Sequence, residues 1–438
     1  MYKILGVLSS YFTYKHLHRF KTHEKLLRWQ KKQIRKHIKR VVKASLFYKE
    51  LYKDCDINNL EELPIIDKKI MMENFNTLNT RNITADEAFK IALEAENTRN
   101  FEPLINKVTV GLSSGTSGNR GLFLVSTKER LAWAGCALAR LLPSGIFKKQ
   151  KVAFFMRANS NLYSTISSKR ISFKFYDILE SMENHINTLN SQNPTMLIGA
   201  PSVLRILAEA QKEGKLCIDP VKIISIAEVL EDIDKEFISQ VFKQPVYQVY
   251  QCTEGFIGYS CKYGTIHINE DVVMVQKEYL DSTRFIPVLT DFRRLTQPIL
   301  RYRLNDVLVE KKEPCKCGSV YLGIEKIEGR EDDIFYLGSK NDARIVAVFP
   351  DFIRNSVIAA SENILEYRVI QEDLKTVKIF LKLIENSNIA DVKANIDNSF
   401  DNLCNKLSCQ KPALVFEEFL PNDKGVKLRR VERCFKID

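Results

Sequence analysis

From residue 108 to about residue 290, short apolar runs alternate with helix-patterned segments, and this alternation limits what the chain can fold into. Val108–Leu112, Lys151–Phe155, Thr195–Ile198, Ile223–Ala227, Val246–Tyr250 and Phe285–Thr290 read as buried strands. Thr127–Leu142, Ser172–Asn190, Ser202–Glu213 and Asp232–Phe242 read as the helices between them. Strands alternating with helices predict an α/β body with mixed, largely parallel sheets. Past Gly329 the pattern changes. Phe352–Ala360 and Ala390–Leu407 read as helices, and Glu366–Val369, Val377–Leu383 and Ala413–Glu417 as strands. The expected organisation is a large domain over 44–329 and a small α+β domain over 330–438, which the 438-residue length accommodates.

Charge is unevenly spread. The formal net charge is +12, and residues 1–43 hold 13 Lys or Arg against one acid, Glu24. That segment carries the whole excess, and the remaining 395 residues sum to zero. Basicity confined to one segment does not describe a nucleic-acid-binding body, so no nucleic-acid partner is expected. Leu27, Ile34, Ile38 and Val41 recur at helical spacing, which predicts a basic helical segment over 1–43 docked by an apolar stripe. A second reading is a weak contact of residues 1–43 with an anionic membrane, with Tyr2–Phe12 as an apolar toe. No run of 18 apolar residues occurs, no secretory signal is convincing, and ten cysteines in so long a chain make no disulfide scaffold. The expectation is a cytoplasmic protein with reduced thiols, peripheral at the membrane under the second reading.

Five segments carry chemistry. Gly111-Leu-Ser-Ser-Gly-Thr-Ser-Gly-Asn-Arg-Gly121 follows a strand and precedes a helix. Its glycines let backbone N–H groups turn toward an anion, and Ser114, Thr116 and Ser117 add donors, which suits a phosphate cradle as well as a plain surface loop. It lacks the Gly-Lys-Ser/Thr end of a P-loop and the spacing of a dinucleotide fingerprint. In Val249-Tyr-Gln-Cys-Thr-Glu-Gly255 a strand ends in Thr253 and Glu254, where a hydroxyl beside a carboxylate can hold a phosphate oxygen and a hard cation together. Pro298-Ile-Leu-Arg-Tyr-Arg-Leu-Asn-Asp306 ends in a carboxylate suited to ribose hydroxyls. Gly329-Arg-Glu-Asp-Asp333 lies at the domain boundary, and Pro421-Asn-Asp-Lys-Gly-Val-Lys-Leu-Arg-Arg-Val431 is a basic stretch near the C terminus. Separately, Cys315 and Cys317 with Cys261 and His267 would complete a closed, structural zinc set, although C-x-C alone is a weak signal. His185 reads as an ordinary surface residue.

Taken in this order and at these separations, the five segments resemble those of the adenylate-forming superfamily of acyl-CoA synthetases and adenylation domains. The chain is most similar to the phenylacetate–CoA ligase branch, from about Gln30 to the end, with Ala44-Ser-Leu-Phe-Tyr-Lys-Glu-Leu-Tyr52 similar to that branch's opening segment. The resemblance implies an ATP- and Mg2+-dependent ligase that activates a small carboxylic acid as an acyl-adenylate, releases pyrophosphate and passes the acyl group on. CoA is the favoured acceptor; an amine, a carrier-protein thiol, or retention of AMP on the product by a nucleotidyltransferase are the alternatives.

By the same resemblance, Ser114, Gly115, Thr116, Ser117 and Gly118 grip the ATP phosphates, Thr253 meets the α-phosphate and Glu254 holds Mg2+. Glu228 and Tyr250 fall at the nucleotide site, and Asp306 binds the ribose. Arg330 and Asp332 match the hinge of a mobile small domain, with Arg330 also near the nucleotide. Lys427 matches the lysine that crosses to the α-phosphate and carboxylate. Arg157, Tyr163, Gly199 and Ala200 would line the acid pocket, and the zinc set matches one that the branch often carries. The chain departs from the pattern in four places. Asn119-Arg120 replaces Pro-Lys or Pro-Thr, Ile226-Ala227 stands where Gly-Gly usually precedes the glutamate, and Asn305 replaces a Gly. The long polar stretch Phe335–Ile345 puts CoA as acceptor in question.

Overall fold

The computed structural model describes residues 2–113, 120–420 and 427–437. The chain forms two compact units, Met1–Leu304 with Val309–Lys326, and Asn305–Leu308 with Ile327–Asp438. It passes from one to the other along the strands Asp306–Glu310 and Gly323–Arg330. Among the described residues no helix is long and apolar enough to cross a membrane.

In the larger unit five strands run parallel. Their order is Ile171–Asp177, Gln150–Met156, Met196–Gly199, Lys222–Ser225, Val246–Cys252. The second strand in the chain is laid on one side of the first, and the rest are built out on the other side. The direction of building therefore reverses between Gln150–Met156 and Met196–Gly199. At such a switch point the connections leave the carboxyl ends of the two strands in opposite directions and open a crevice. The helices Met182–Gln192, Pro201–Lys212 and Asp232–Phe242 form crossovers whose Leu189, Leu204, Leu207 and Ile238 join Phe155, Leu197 and Ile223 in one core. A covered sheet explains the unbroken apolar runs, such as Met196–Gly199, which is buried throughout. Past Val246–Cys252 the pairing turns antiparallel through Gly255–Ser260 and Ile266–Ile268.

Ser172–Asn190 does not form one helix. Ile171–Asp177 is the edge strand, and only Met182–Gln192 is helical. Solvent covers part of one face, so exposure alternates over Ile171–Lys174, a period of two that Ser172-Phe-Lys-Phe-Tyr carries in its sequence. His185 is buried rather than on the surface. Its Nε2 lies 2.7 Å from the Asp177 carbonyl oxygen, and its ring meets Phe155 and Tyr176 edge-on.

The N-terminal segment forms helices Tyr2–Phe12 and His23–Ala44 within the larger unit. The first is not a free apolar toe, because it crosses the helix Thr127–Leu141 closely. A Cβ on Gly135 would stand 2.6 Å from the Val7 carbonyl oxygen, so only glycine fits there. Tyr11 and Tyr14 are buried. The docked stripe of the second helix keeps the expected Ile34, Ile38 and Val41, with Leu26 in place of Leu27. Leu27 is exposed, and Leu26, Gln30, Ile34, His37, Ile38 and Val41 are buried. The stripe also includes two polar residues, Gln30 and His37, which an apolar pattern does not mark. Between residues 53 and 105 lie helices Lys68–Glu73 and Ala85–Thr98, capped by the side chains of Asp67 and Thr84.

The smaller unit pairs Ile364–Gln371 with Thr376–Leu383 antiparallel, and Ala413–Glu418 and Val431–Arg433 join in parallel on either side. Helices Pro350–Ile358 and Ile389–Lys406 contribute Ile353, Ile396 and Phe400 to its core beside Tyr367 and Ile379. The polar stretch after Asp333 is an antiparallel hairpin, Phe335–Gly338 with Ile345–Val348.

Candidate active site

Parallel strands place their carboxyl ends along one edge of the sheet, and eight of the sequence-predicted residues of the larger unit lie on or just after those ends. Gln150–Met156 leads to Arg157 and Tyr163, and Met196–Gly199 leads to Ala200. Lys222–Ser225 is followed by Glu228. Val246–Cys252 contains Tyr250 and runs into Thr253 and Glu254. The first two strands flank the switch point.

Glu254 is buried and held by two hydroxyls. Thr253 Oγ1 donates to Oε2 at 2.9 Å and Tyr302 Oη to Oε1 at 2.9 Å. Burial, then the adjacent carboxylate, raise the Tyr302 phenol, which keeps it protonated and donating. Arg294 donates to the carbonyls of Thr253 and Glu254 at 2.7 and 2.8 Å, and to that of Leu124 at 3.3 Å, so the turn is braced from below. Asp291 lies next to this arginine. Burial raises its carboxyl to about 6, against the pull of Arg294. Carboxylate oxygens accept more than one bond each, so Glu254 keeps lone pairs for a hard cation.

Glu228 accepts from Ser202 Oγ at 2.8 Å, which ties the loop after Lys222–Ser225 to the start of the helix Pro201–Lys212. The residue before it, Ala227, has φ +70°, a left-handed conformation that glycine adopts at lower cost. A Cβ on Gly199 would stand 3.2 Å from Phe155 Cβ, a tight approach at the switch point. Close by, Tyr163 packs on Phe154 and Trp133 with ring centroids 4.6 and 5.7 Å away, and Trp133 Nε1 donates to Gln251 Oε1 at 3.2 Å. Burial pushes the Tyr163 phenol up to about 12.

Ser114, Gly115, Thr116, Ser117 and Gly118 lie outside the described residues. The base of their loop is described. Ser113 N–H donates to the Gly121 carbonyl at 2.7 Å, and Gly121 N–H to Ser113 Oγ at 2.7 Å. Lys68 Nζ lies 3.5 Å from the same hydroxyl, and Arg120 grips Glu96 with two bonds.

Asp306, Arg330, Asp332 and Lys427 belong to the smaller unit. Asp332 accepts from Asn305 Nδ2 at 3.2 Å. Asp333, next to the expected hinge residue, is more deeply engaged. It accepts from Arg429 Nε at 3.1 Å and from the Arg330 backbone at 3.0 Å. Burial raises its carboxyl, and Arg429 opposes that rise. Gly329, at φ +142°, leaves room for this carboxylate.

The four zinc candidates converge within the larger unit, with their ligand atoms within 4.8 Å of one another. Cys261 and Cys315 sulfurs are 3.6 Å apart, and Cys317 Sγ is 3.3 Å from His267 Nε2. Tetrahedral zinc with ordinary bond lengths separates two sulfurs by about 3.8 Å and a sulfur from a nitrogen by about 3.5 Å. His267 Nδ1 faces the Tyr321 carbonyl at 3.1 Å, and a carbonyl only accepts. That nitrogen therefore carries the proton, and the Nε2 lone pair points at the thiols, as a ligand requires. Burial raises the Cys315 thiol, but hydrogen bonds, first from Thr265 and then from Cys317, oppose that rise, and the thiol sits below its ordinary value.

Sequence reasoning missed Tyr302, Arg294, Ser202 and Asp333 as site residues. Tyr302 was in view, four residues ahead of Asp306 in the same segment. Arg294 had no motif to mark it.

No family model matches the chain. Protein CapK of Staphylococcus aureus is 25% identical over 405 residues, 84% of each chain. The structure of 2-hydroxyisobutyryl-CoA ligase in the postadenylation state, in complex with 2-HIB-AMP, matches 92% of this chain and 89% of its own, with 16% identity and a TM-score of 0.70. A benzoate CoA ligase from Burkholderia xenovorans LB400 matches 73% and 67%, with 15% identity and a TM-score of 0.50. Likeness at these identities establishes the architecture: the chain has the fold of the adenylate-forming CoA ligases, an α/β body of mixed sheets followed by a separate C-terminal α+β unit.

Proposed function

We propose that the protein is an ATP-dependent carboxylate-activating ligase. The observation that carries this is the buried Glu254 fixed by Thr253 and Tyr302 at the carboxyl end of the last parallel strand, in a chain with the CoA-ligase fold. Glu254 would hold Mg2+, which neutralises phosphate charge, while Thr253 bonds the α-phosphate. The loop at Ser114–Gly118 takes the outer phosphates, Glu228 and Tyr250 border the base, and Asp306 takes the ribose. A substrate carboxylate attacks the α-phosphate, the bond to pyrophosphate breaks, and acyl-AMP results. Lys427 lowers the repulsion between the two approaching anions. Arg330 and Asp332 form the hinge on which the small domain turns between half-reactions.

The acid enters at the switch point, beside Arg157, Tyr163, Gly199 and Ala200. The aromatic cluster of Phe154, Tyr163 and Trp133 supports a small aromatic or medium-length apolar acid. CoA is the acceptor we favour, since the fold's relatives named above are CoA ligases. An amine or a carrier-protein thiol is the alternative, and AMP left on the product would mark a nucleotidyltransferase. The Cys261, His267, Cys315 and Cys317 set holds a structural zinc, since four protein ligands leave no open position. The test is a panel of carboxylic acids with ATP, read as pyrophosphate release, then a panel of acceptors. Release of AMP only on adding CoA supports this reading. Pyrophosphate release without any acid contradicts it.

A further inference from the structure

We infer that the solvent face of the helix His23–Ala44 is a docking strip for an anionic lipid surface. All nine Lys and Arg residues from Lys25 to Lys43 are exposed, on the half of the helix opposite the buried Leu26, Ile34, Ile38 and Val41. At 1.5 Å per residue the strip is about 27 Å long. The one acid on the helix, Glu24, pairs with Arg28 at its first turn, at 2.7 Å.

This arrangement opposes its own helix. Like charges stand four residues apart in an overlapping series from Arg28/Lys32 to Lys39/Lys43, and each such pair is unfavourable in the free protein. An anionic surface relieves that repulsion. The strip is also not part of a generally positive exterior kept for solubility, because residues 44–438 sum to zero charge.

Two observations favour lipid over nucleic acid. No Phe, Tyr or Trp is exposed on this helix for stacking bases; Trp29 instead packs on Phe20 and Phe292, with centroids 5.2 and 5.5 Å away. Exposed leucines lie near both ends of the strip, Leu27 at 44% and Leu46 at 67% exposure. A leucine gains from the acyl boundary of a bilayer and nothing from a phosphate backbone.

The test is sedimentation with vesicles of phosphatidylcholine alone, and with vesicles one-quarter phosphatidylserine, at low and at molar salt. The full-length protein is compared with a variant carrying Lys32→Glu, Arg35→Glu, Lys36→Glu and Lys39→Glu. The wild type should bind only the phosphatidylserine vesicles and be released by salt. Each cation near such a surface contributes a factor of about five, so the variant should partition on the order of 10²–10³-fold more weakly. Its melting temperature should stay level or rise. If the reversed variant does not fold, Lys32→Gln with Lys39→Gln decides, with about 25-fold weaker partition expected. Absence of wild-type binding at low salt, equal binding by variant and wild type, or binding to duplex RNA with none to vesicles would each overturn the inference.

Discussion

Glu254 depends on a hydroxyl that comes from a strand 48 residues further along the chain. A hydrogen bond to a charged group contributes about 1.5–3 kcal/mol, so Tyr302→Phe should slow pyrophosphate release roughly 10- to 100-fold and raise the Mg2+ requirement, with nucleotide affinity little changed. Loss of rate with an unaltered Mg2+ dependence would assign Tyr302 a purely structural part. Ala227 gives the opposite kind of prediction. Its left-handed backbone costs about 1–2 kcal/mol relative to glycine, so Ala227→Gly should raise unfolding stability by about 1 kcal/mol, measured in urea. Thr253 and Glu254 stood out in the sequence because they follow a short strand-like run, which the structure places at Val246–Cys252. Tyr302, Arg294 and Ser202 did not, because their partners are set by sheet register and crossover geometry, which no local pattern encodes.

The helix His23–Ala44 sets a pH limit on the N-terminal segment. Burial, helped by the charge of Arg40, pushes the His37 imidazole down to about 4 from an ordinary 6.5. The unfolded chain therefore binds more protons between these values. Stability present above pH 6.5 is lost as pH falls toward 4, to about 3 kcal/mol in total. His37→Leu should flatten this acid limb in urea unfolding at pH 7 and 4.5, and an identical pH dependence in both proteins would contradict the assignment. The thiols of Cys261, Cys315 and Cys317 give a metal prediction: one zinc per chain by elemental analysis, with Cys315→Ser losing both the ion and several degrees of melting temperature, because structural metal binding is folding free energy. Metal-free protein purified without chelators would exclude the site. Elements with one covered face and polar intruders were hardest to read. On the helix His23–Ala44 the apolar spacing marked Ile34, Ile38 and Val41 but not the polar Gln30 and His37, and the aromatic alternation of Ile171–Asp177 was submerged in a longer helical reading.

For the whole molecule, the change of pattern after Gly329 was legible because a compact α+β unit has its own core, here around Tyr367, Ile396 and Phe400. The switch point was not, since strand order is a property of the assembled sheet. The shared direction of the parallel strands sets the ends of four of them along one edge. Under the proposed function, residues along this edge and Lys427 together join a carboxylate to AMP. Carboxylate-dependent exchange of labelled pyrophosphate into ATP is the decisive measurement, because exchange requires reversible acyl-adenylate formation and no acceptor. With a competent acid, the wild type should exchange label, Glu254→Gln and Lys427→Ala should each exchange on the order of 10²–10³-fold more slowly, and both variants should keep the wild-type melting temperature within a few degrees. Exchange at the wild-type rate in either folded variant, or none in the wild type across aromatic and aliphatic acids, would contradict the proposed function.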